Sequence, residues 1–241
     1  MDLPHSIGLQ RTSLVDYPGK VASVIFLPGC NLRCSYCHNS DLAQGRTEGL
    51  LKLNEVIEYV KNRAPLMGGV VISGGEPLLY PGLPELVRIF HESGLSVKLD
   101  TNGTLPDRLA ALLNSPHKPD FIAMDFKTSA SNYTSLAYYG DGEETLSASV
   151  EMIQKSGIPH HFRATAHRDF VNTDMVDRMS EMLKGDSEFI LNPFLPGNCL
   201  NPEFNNHKES SQKELLTLRD AFRSRGINCI VHSIENSCNT L

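Results

Sequence analysis

The chain has 241 residues, 40% of them apolar, with 28 acidic side chains against 22 basic ones and a net charge of −6. This is ordinary globular composition, which excludes disordered and low-complexity classes, and its acidic balance argues against a protein that holds nucleic acid through phosphates. The amino terminus lacks a charged segment leading into an apolar one, and the most apolar run, residues 21–27, is far shorter than the roughly 20 residues that cross a bilayer. The length allows one or two domains, and the expectation is a soluble cytoplasmic protein with no membrane or nucleic-acid partner.

Residues 21–27 read as the first strand. Leu53, Val56, Ile57 and Val60 then fall at i, i+3, i+4 and i+7, the stripe of an amphipathic helix. A strand at 70–73 precedes a second stripe of Leu83, Leu86, Val87 and Phe90, with Pro84 near the first helical position. After a strand at 95–100, Pro106 opens a shorter helix carrying Leu109, Leu112 and Leu113. Strands at 121–126, 159–165 and 189–193 alternate with helices marked by Leu146, Val150 and Ile153, then by Val176, Met179 and Leu183. Leu215, Leu218 and Phe222 follow a capping box of Ser211 and Glu214, and 227–231 is a seventh candidate strand. This alternation implies a parallel sheet, either open and doubly wound or curled into a full or partial (β/α) barrel.

Three of the six cysteines, Cys30, Cys34 and Cys37, fall within eight residues directly after the first strand. So tight a group is a metal or redox site rather than a disulfide framework. Iron–sulfur clusters normally take four cysteines, so three without a fourth leave an iron open for substrate. Zinc held by the three thiolates and His38 is an alternative. The C-x-x-C-H pattern of haem attachment, Cys34 to His38, leaves Cys30 unexplained. Cys199, Cys229 and Cys238 are too dispersed for a second cluster, and Cys229 reads as a small buried hydrophobe.

Further polar residues gather where strands end. Gly74 and Gly75 let a backbone approach a ligand closely, and the Glu76 carboxylate beside them is suited to an ammonium group. Asp100 closes the third strand ahead of Asn102 and Gly103, where it is also an ordinary turn residue. Asp125 and Lys127 close the fourth, and Arg163 on the fifth is able to meet a carboxylate bidentately. With the cysteines after the first strand and Asn192 on the sixth, six strand ends contribute. An open sheet confines its site to one switch point, whereas a barrel collects loops from every strand, so six contributing ends favour a barrel.

Residues 29–39, GCNLRCSYCHN, resemble the signature loop of the radical S-adenosylmethionine superfamily, with Tyr36 as the aromatic residue before the last cysteine. More narrowly they resemble the activating enzymes of glycyl-radical enzymes, and residues 13–20 and 192–198 resemble the activators of anaerobic ribonucleotide reductase. The resemblance implies a single domain over residues 1–241 with a core from about 20 to 232, folded as a partial six-stranded (β/α) barrel. It implies one 4Fe–4S cluster on Cys30, Cys34 and Cys37, with no catalytic residue beyond the cluster. It implies that S-adenosylmethionine is bound through Gly74, Gly75 and Glu76 at its amino group, with Tyr36, His38, Asn102, Lys127 and Arg163 also at the cofactor. Asp100 and Asp125 would be further contacts and, as in formate-lyase activators, would help hold a monovalent cation. The implied partners are a flavodoxin or ferredoxin as electron donor and a glycyl-radical enzyme, a class III reductase ahead of a formate-lyase-like enzyme. Leu195 stands where the formate-lyase branch has a histidine contact. A zinc-stabilised binding module and a radical enzyme acting on a small molecule are the rival classes.

Overall fold

Runs rich in β-branched and aromatic residues form nine strands in a computed structural model that describes residues 3–185 and 187–232. They are β1 (Ser6–Ser13), β2 (Ala22–Leu27), β3 (Leu51–Lys52), β4 (Gly69–Gly74), β5 (Ser96–Thr101), β6 (Phe121–Phe126), β7 (His160–Ala166), β8 (Glu188–Pro193) and β9 (Asn228–Val231). All join one sheet in the order β3-β1-β2-β4-β5-β6-β7-β8-β9. The seven strands from β2 through β4 to β9 run parallel, and β1 is antiparallel to both its neighbours. The order is linear, so the sheet does not close. This is a partial barrel, as the resemblance implies, with 227–231 supplying a seventh parallel strand.

The helices are α1 (Ser40–Ala43), α2 (Leu53–Arg63), α3 (Leu83–Glu92), α4 (Pro106–Leu113), α5 (Gly142–Lys155), α6 (Val176–Met182) and α7 (Gln212–Arg223). Local chemistry sets their starts. Pro84 sits in the first turn of α3, Asp141 accepts from the Glu143 and Glu144 amides, and Ser211 and Glu214 form the expected capping box on α7. No helix among the described residues is long and apolar enough to cross a membrane.

Alternation along the strands sorts side chains onto two faces. Ile25, Ile72, Leu99, Met124, Phe162 and Leu191 pack with Val56, Leu86, Leu146 and Phe222 of the helices in the main core. Cys229 lies fully buried in that core, the small hydrophobe expected of it. The opposite face carries a smaller cluster of Tyr17, Ala22, Val24 and Val71 near the amino ends of the strands. Tyr17 comes from the segment that resembles reductase activators, and a Cβ on Gly69 would stand 2.8 Å from its ring. That segment therefore closes the floor of the barrel. The core also starts earlier than residue 20, because β1 pairs with β2 along its length.

A candidate active site at the carboxyl ends of the strands

Above the floor lies a cavity of about 570 Å³ to which all seven parallel strands or the loops after them contribute. Every residue expected at the cluster or the cofactor lines it except Glu76.

The cysteine loop is held by backbone contacts on several sides. Gly29 N–H donates to Leu42 and Cys30 N–H to Ala43 of α1, at 2.6 and 3.1 Å. Leu200 N–H donates to the Cys37 carbonyl and Asn201 N–H to that of Ser35, so the segment after β8 pairs with the loop. Tyr36 donates its hydroxyl to the Lys127 carbonyl at 3.0 Å and meets Phe170 edge-on, which pins the loop to the end of β6. His38 donates from Nε2 to the Leu195 carbonyl at 2.8 Å. The Cys30 sulfur accepts from Leu32 N–H at 3.4 Å and from Asn102 Nδ2 at 3.8 Å.

Burial pushes the Cys34 thiol up to about 12 and raises that of Cys30. Such thiols stay protonated until a metal displaces the proton, which is the chemistry of a ligand set. A tetrahedral zinc with sulfurs at about 2.3 Å keeps them about 3.8 Å apart. Among the described residues only one trio of His, Cys, Asp or Glu brings its ligand atoms within 4.8 Å of one another, and it is not the cysteines. That trio is His167, Asp169 and His207, beyond β7 and outside the cavity. The wider spacing of the thiols, with His38 Nε2 engaged by Leu195, suits a multi-iron cluster better than a single zinc.

Opposite the loop lies a layer of alternating charge. Lys98 Nζ pairs with Asp100 Oδ1, and Arg163 Nη2 lies 3.3 Å from Asp100 Oδ2. Arg163 Nε donates to Asp125 Oδ1 at 2.7 Å, and Lys127 Nζ to Asp125 Oδ2 at 2.9 Å. Burial works against the charge on Asp125, yet Arg163 and then Lys127 hold its carboxyl well below the ordinary range. Arg163 is thus neither a surface residue nor bidentate to one carboxylate; it bridges two.

The model of the Radical SAM superfamily matches residues 24–181, more than half of the chain. The chain belongs to the Radical SAM superfamily. A Methanocaldococcus jannaschii protein provisionally named a glycyl-radical enzyme activating enzyme is 27% identical over 95% of this chain and 96% of its own. The pyruvate formate-lyase-activating enzyme of Clostridium pasteurianum is 39% identical over 107 residues, which are 41% of this chain and 42% of that one. A radical SAM methyltransferase from Sphaerobacter thermophilus superposes with a TM-score of 0.67 at 17% identity, over 94% of this chain and 77% of its own, and shows the fold. Radical SAM proteins use a 4Fe–4S cluster and S-adenosylmethionine, and these are the cofactors of this chain.

One expectation needs correction within this site. Glu76 is 0% exposed and its carboxylate is consumed inside the protein. It accepts from Leu78 N–H at 3.0 Å, Thr101 Oγ1 at 2.8 Å and Asn102 N–H at 2.7 Å, so it ties β4 to β5 and offers no oxygen to a ligand ammonium. Burial raises it to about 7 despite those donors. The glycines beside it line the cavity and also allow a close approach within the chain itself. A Cβ on Gly75 would stand 1.9 Å from the Gly29 oxygen and one on Gly74 2.2 Å from that of Leu27.

Sequence reasoning missed Lys98 and His161, which share the inward face of β5 and β7. The signal was available in the two-residue spacing of Lys98 from Asp100 and of His161 from Arg163, which puts each pair on one face. His161 is 7% exposed, its Nε2 has no partner, and burial followed by Arg163 and Lys98 lowers it to about 3. Cys199 is buried beneath the loop near Cys37, and Cys238 lies outside the described residues.

Proposed function

We propose that this chain installs a glycyl radical in a partner enzyme, a class III anaerobic ribonucleotide reductase. The supporting observation is one cavity carrying three cysteines and the Asp100–Arg163–Asp125 layer, in a chain similar over nearly its whole length to a relative named for such activation. When bound, the cluster and S-adenosylmethionine would supply the radical chemistry, a one-electron cleavage of the sulfonium that would lead to removal of a hydrogen atom from a glycine α-carbon.

The chain's own share is holding and shielding. Cys30, Cys34 and Cys37 would hold the cluster. Tyr36, His38 and Asn102 brace the loop, and the backbone of Gly74 and Gly75 faces the amino group. Asp100, Asp125, Lys127 and Arg163 meet the rest of the cofactor, their net positive charge (with Lys98) favouring its carboxylate. In this reading a reduced flavodoxin or ferredoxin supplies the electron, and the compartment is the cytoplasm, where thiols stay reduced. The chain works as a single domain.

The identity to the Clostridium pasteurianum enzyme favours a second reading, a formate-lyase-type partner. Against it stands Leu195, which lines the cavity in place of a histidine and whose carbonyl accepts from His38. Electron paramagnetic resonance on each partner, mixed anaerobically with reduced protein and S-adenosylmethionine, separates the two. A glycyl doublet on the reductase, absent when the target glycine is replaced by alanine, is expected. A doublet on the formate-lyase-type partner alone overturns the choice of reductase.

A further inference from the structure

The monovalent cation expected beside Asp100 and Asp125 does not fit the residues present. All four carboxylate oxygens already face charged nitrogens of the chain: Lys98 and Arg163 on Asp100, Arg163 and Lys127 on Asp125. Three cations against two anions leave this layer at +1. An alkali ion bound to either aspartate would lie beside at least one of those nitrogens, and like charges in a protein interior repel strongly at such range.

Lys98 is the group that closes the set. It sits at the middle of β5, is 1% exposed, and shares the inward face with Asp100 two residues along. An ammonium buried so deeply is kept only where a carboxylate pairs with it. Burial works against the charge on both partners and lowers the Lys98 ammonium, while the direct Lys98 Nζ–Asp100 Oδ1 contact opposes that shift. With Arg163 on Oδ2 it also holds the Asp100 carboxyl below its ordinary range, the arrangement of an ion pair. The other titratable neighbours here, His161 and His232, are both lowered by burial and then by Arg163 and add no negative charge; His161 packs edge-on against Phe121.

We propose that the Lys98 ammonium is a built-in replacement for the monovalent cation, so that S-adenosylmethionine binding by this chain needs no alkali ion. The inference rests on the reading that this layer meets the cofactor. Loss of Lys98 would leave Asp100 Oδ1 unpaired, bring the layer to zero net charge and open a space the size of an ammonium ion beside that oxygen. A small cation would then bind there.

The test is equilibrium dialysis of S-adenosylmethionine against anaerobically reconstituted protein in potassium, sodium or N-methylglucamine chloride at equal ionic strength. Wild-type affinity is expected to be the same in all three. Lys98→Met should bind about tenfold or more weakly in N-methylglucamine and recover in potassium or ammonium chloride. A second readout needs no cluster: potassium should raise the melting temperature of the apo Lys98→Met protein and leave that of the apo wild type unmoved. A wild type that loses affinity in N-methylglucamine and regains it in potassium overturns the inference, and that comparison stands even if the variant does not fold. A variant that binds as well as wild type without alkali ions also overturns it. Absence of binding by the wild type in every salt overturns instead the site reading beneath it.

Discussion

The carbonyl oxygen of Gly29 lies 1.9 Å from the point where a Cβ on Gly75 would stand. The same oxygen accepts a 2.8 Å hydrogen bond from the next amide, that of Glu76. The end of β4 is therefore fitted against the start of the cysteine loop with no room for one methyl group. Gly75→Ala is expected to cost about 1–3 kcal/mol of stability, as overpacked sites do, and to cut iron incorporation on reconstitution. Gly157, at φ +71° with nothing within 4 Å, is the control. Gly157→Ala should show only the backbone penalty, about 1 kcal/mol, with full iron content. Equal iron content in the two variants would contradict the role given to Gly75.

Glu76 tests the difference between a motif's position and its side chain's direction. In Glu76→Gln one carboxylate oxygen becomes an NH₂ that cannot accept from its present donor. The expected loss is about 1–3 kcal/mol in denaturant unfolding at neutral pH, with S-adenosylmethionine affinity of the folded protein little changed. Normal stability combined with lost affinity would return Glu76 to the cofactor.

His161 gives the acid limb of stability a definite sign. Its pKa falls from 6.5 to about 3 on folding, so below pH 6.5 the unfolded chain binds a proton that the folded one does not. Stability is therefore lost as pH drops from 6.5 toward 3, by up to about 1.4 kcal/mol per pH unit for this one group. His161→Gln should remove that slope from apoprotein unfolding curves at pH 7, 6 and 5. Parallel curves for variant and wild type would contradict the neutral, buried state.

Cluster content separates the loop from the other cysteines. Cys34→Ala is expected to abolish a content of about four irons and four sulfides, whereas Cys199→Ala should keep it. Stoichiometric zinc without iron in anaerobically prepared protein would overturn the ligand assignment.

Much of this was legible because burial on two faces leaves a pattern. The parallel strands and the stripes of α2, α3 and α7 stood out by apolar run and period, and Ser211 with Glu214 marked a helix start. Strand β1 did not, because Gly8, Gln10 and Arg11 carry no apolar alternation and its conformation is decided by pairing with β2. In the site, the cysteines and the two aspartates were visible as residue types at strand ends. Lys98 was not: a lysine in a strand reads as exposed, and only the curl of the sheet makes its face an interior. Glu76 was misread because spacing tells which residue is near a site and not which way it points.

The most direct test of the central claim follows the hydrogen atom. A class III reductase with glycine deuterated at its α-carbon is mixed anaerobically with this protein, reductant and unlabelled S-adenosylmethionine, and the 5′-deoxyadenosine is weighed by mass spectrometry. The account expects one deuterium in the 5′-deoxyadenosine for each radical formed, and none when the target glycine is replaced by alanine. Cleavage of S-adenosylmethionine with no deuterium in the product would contradict it.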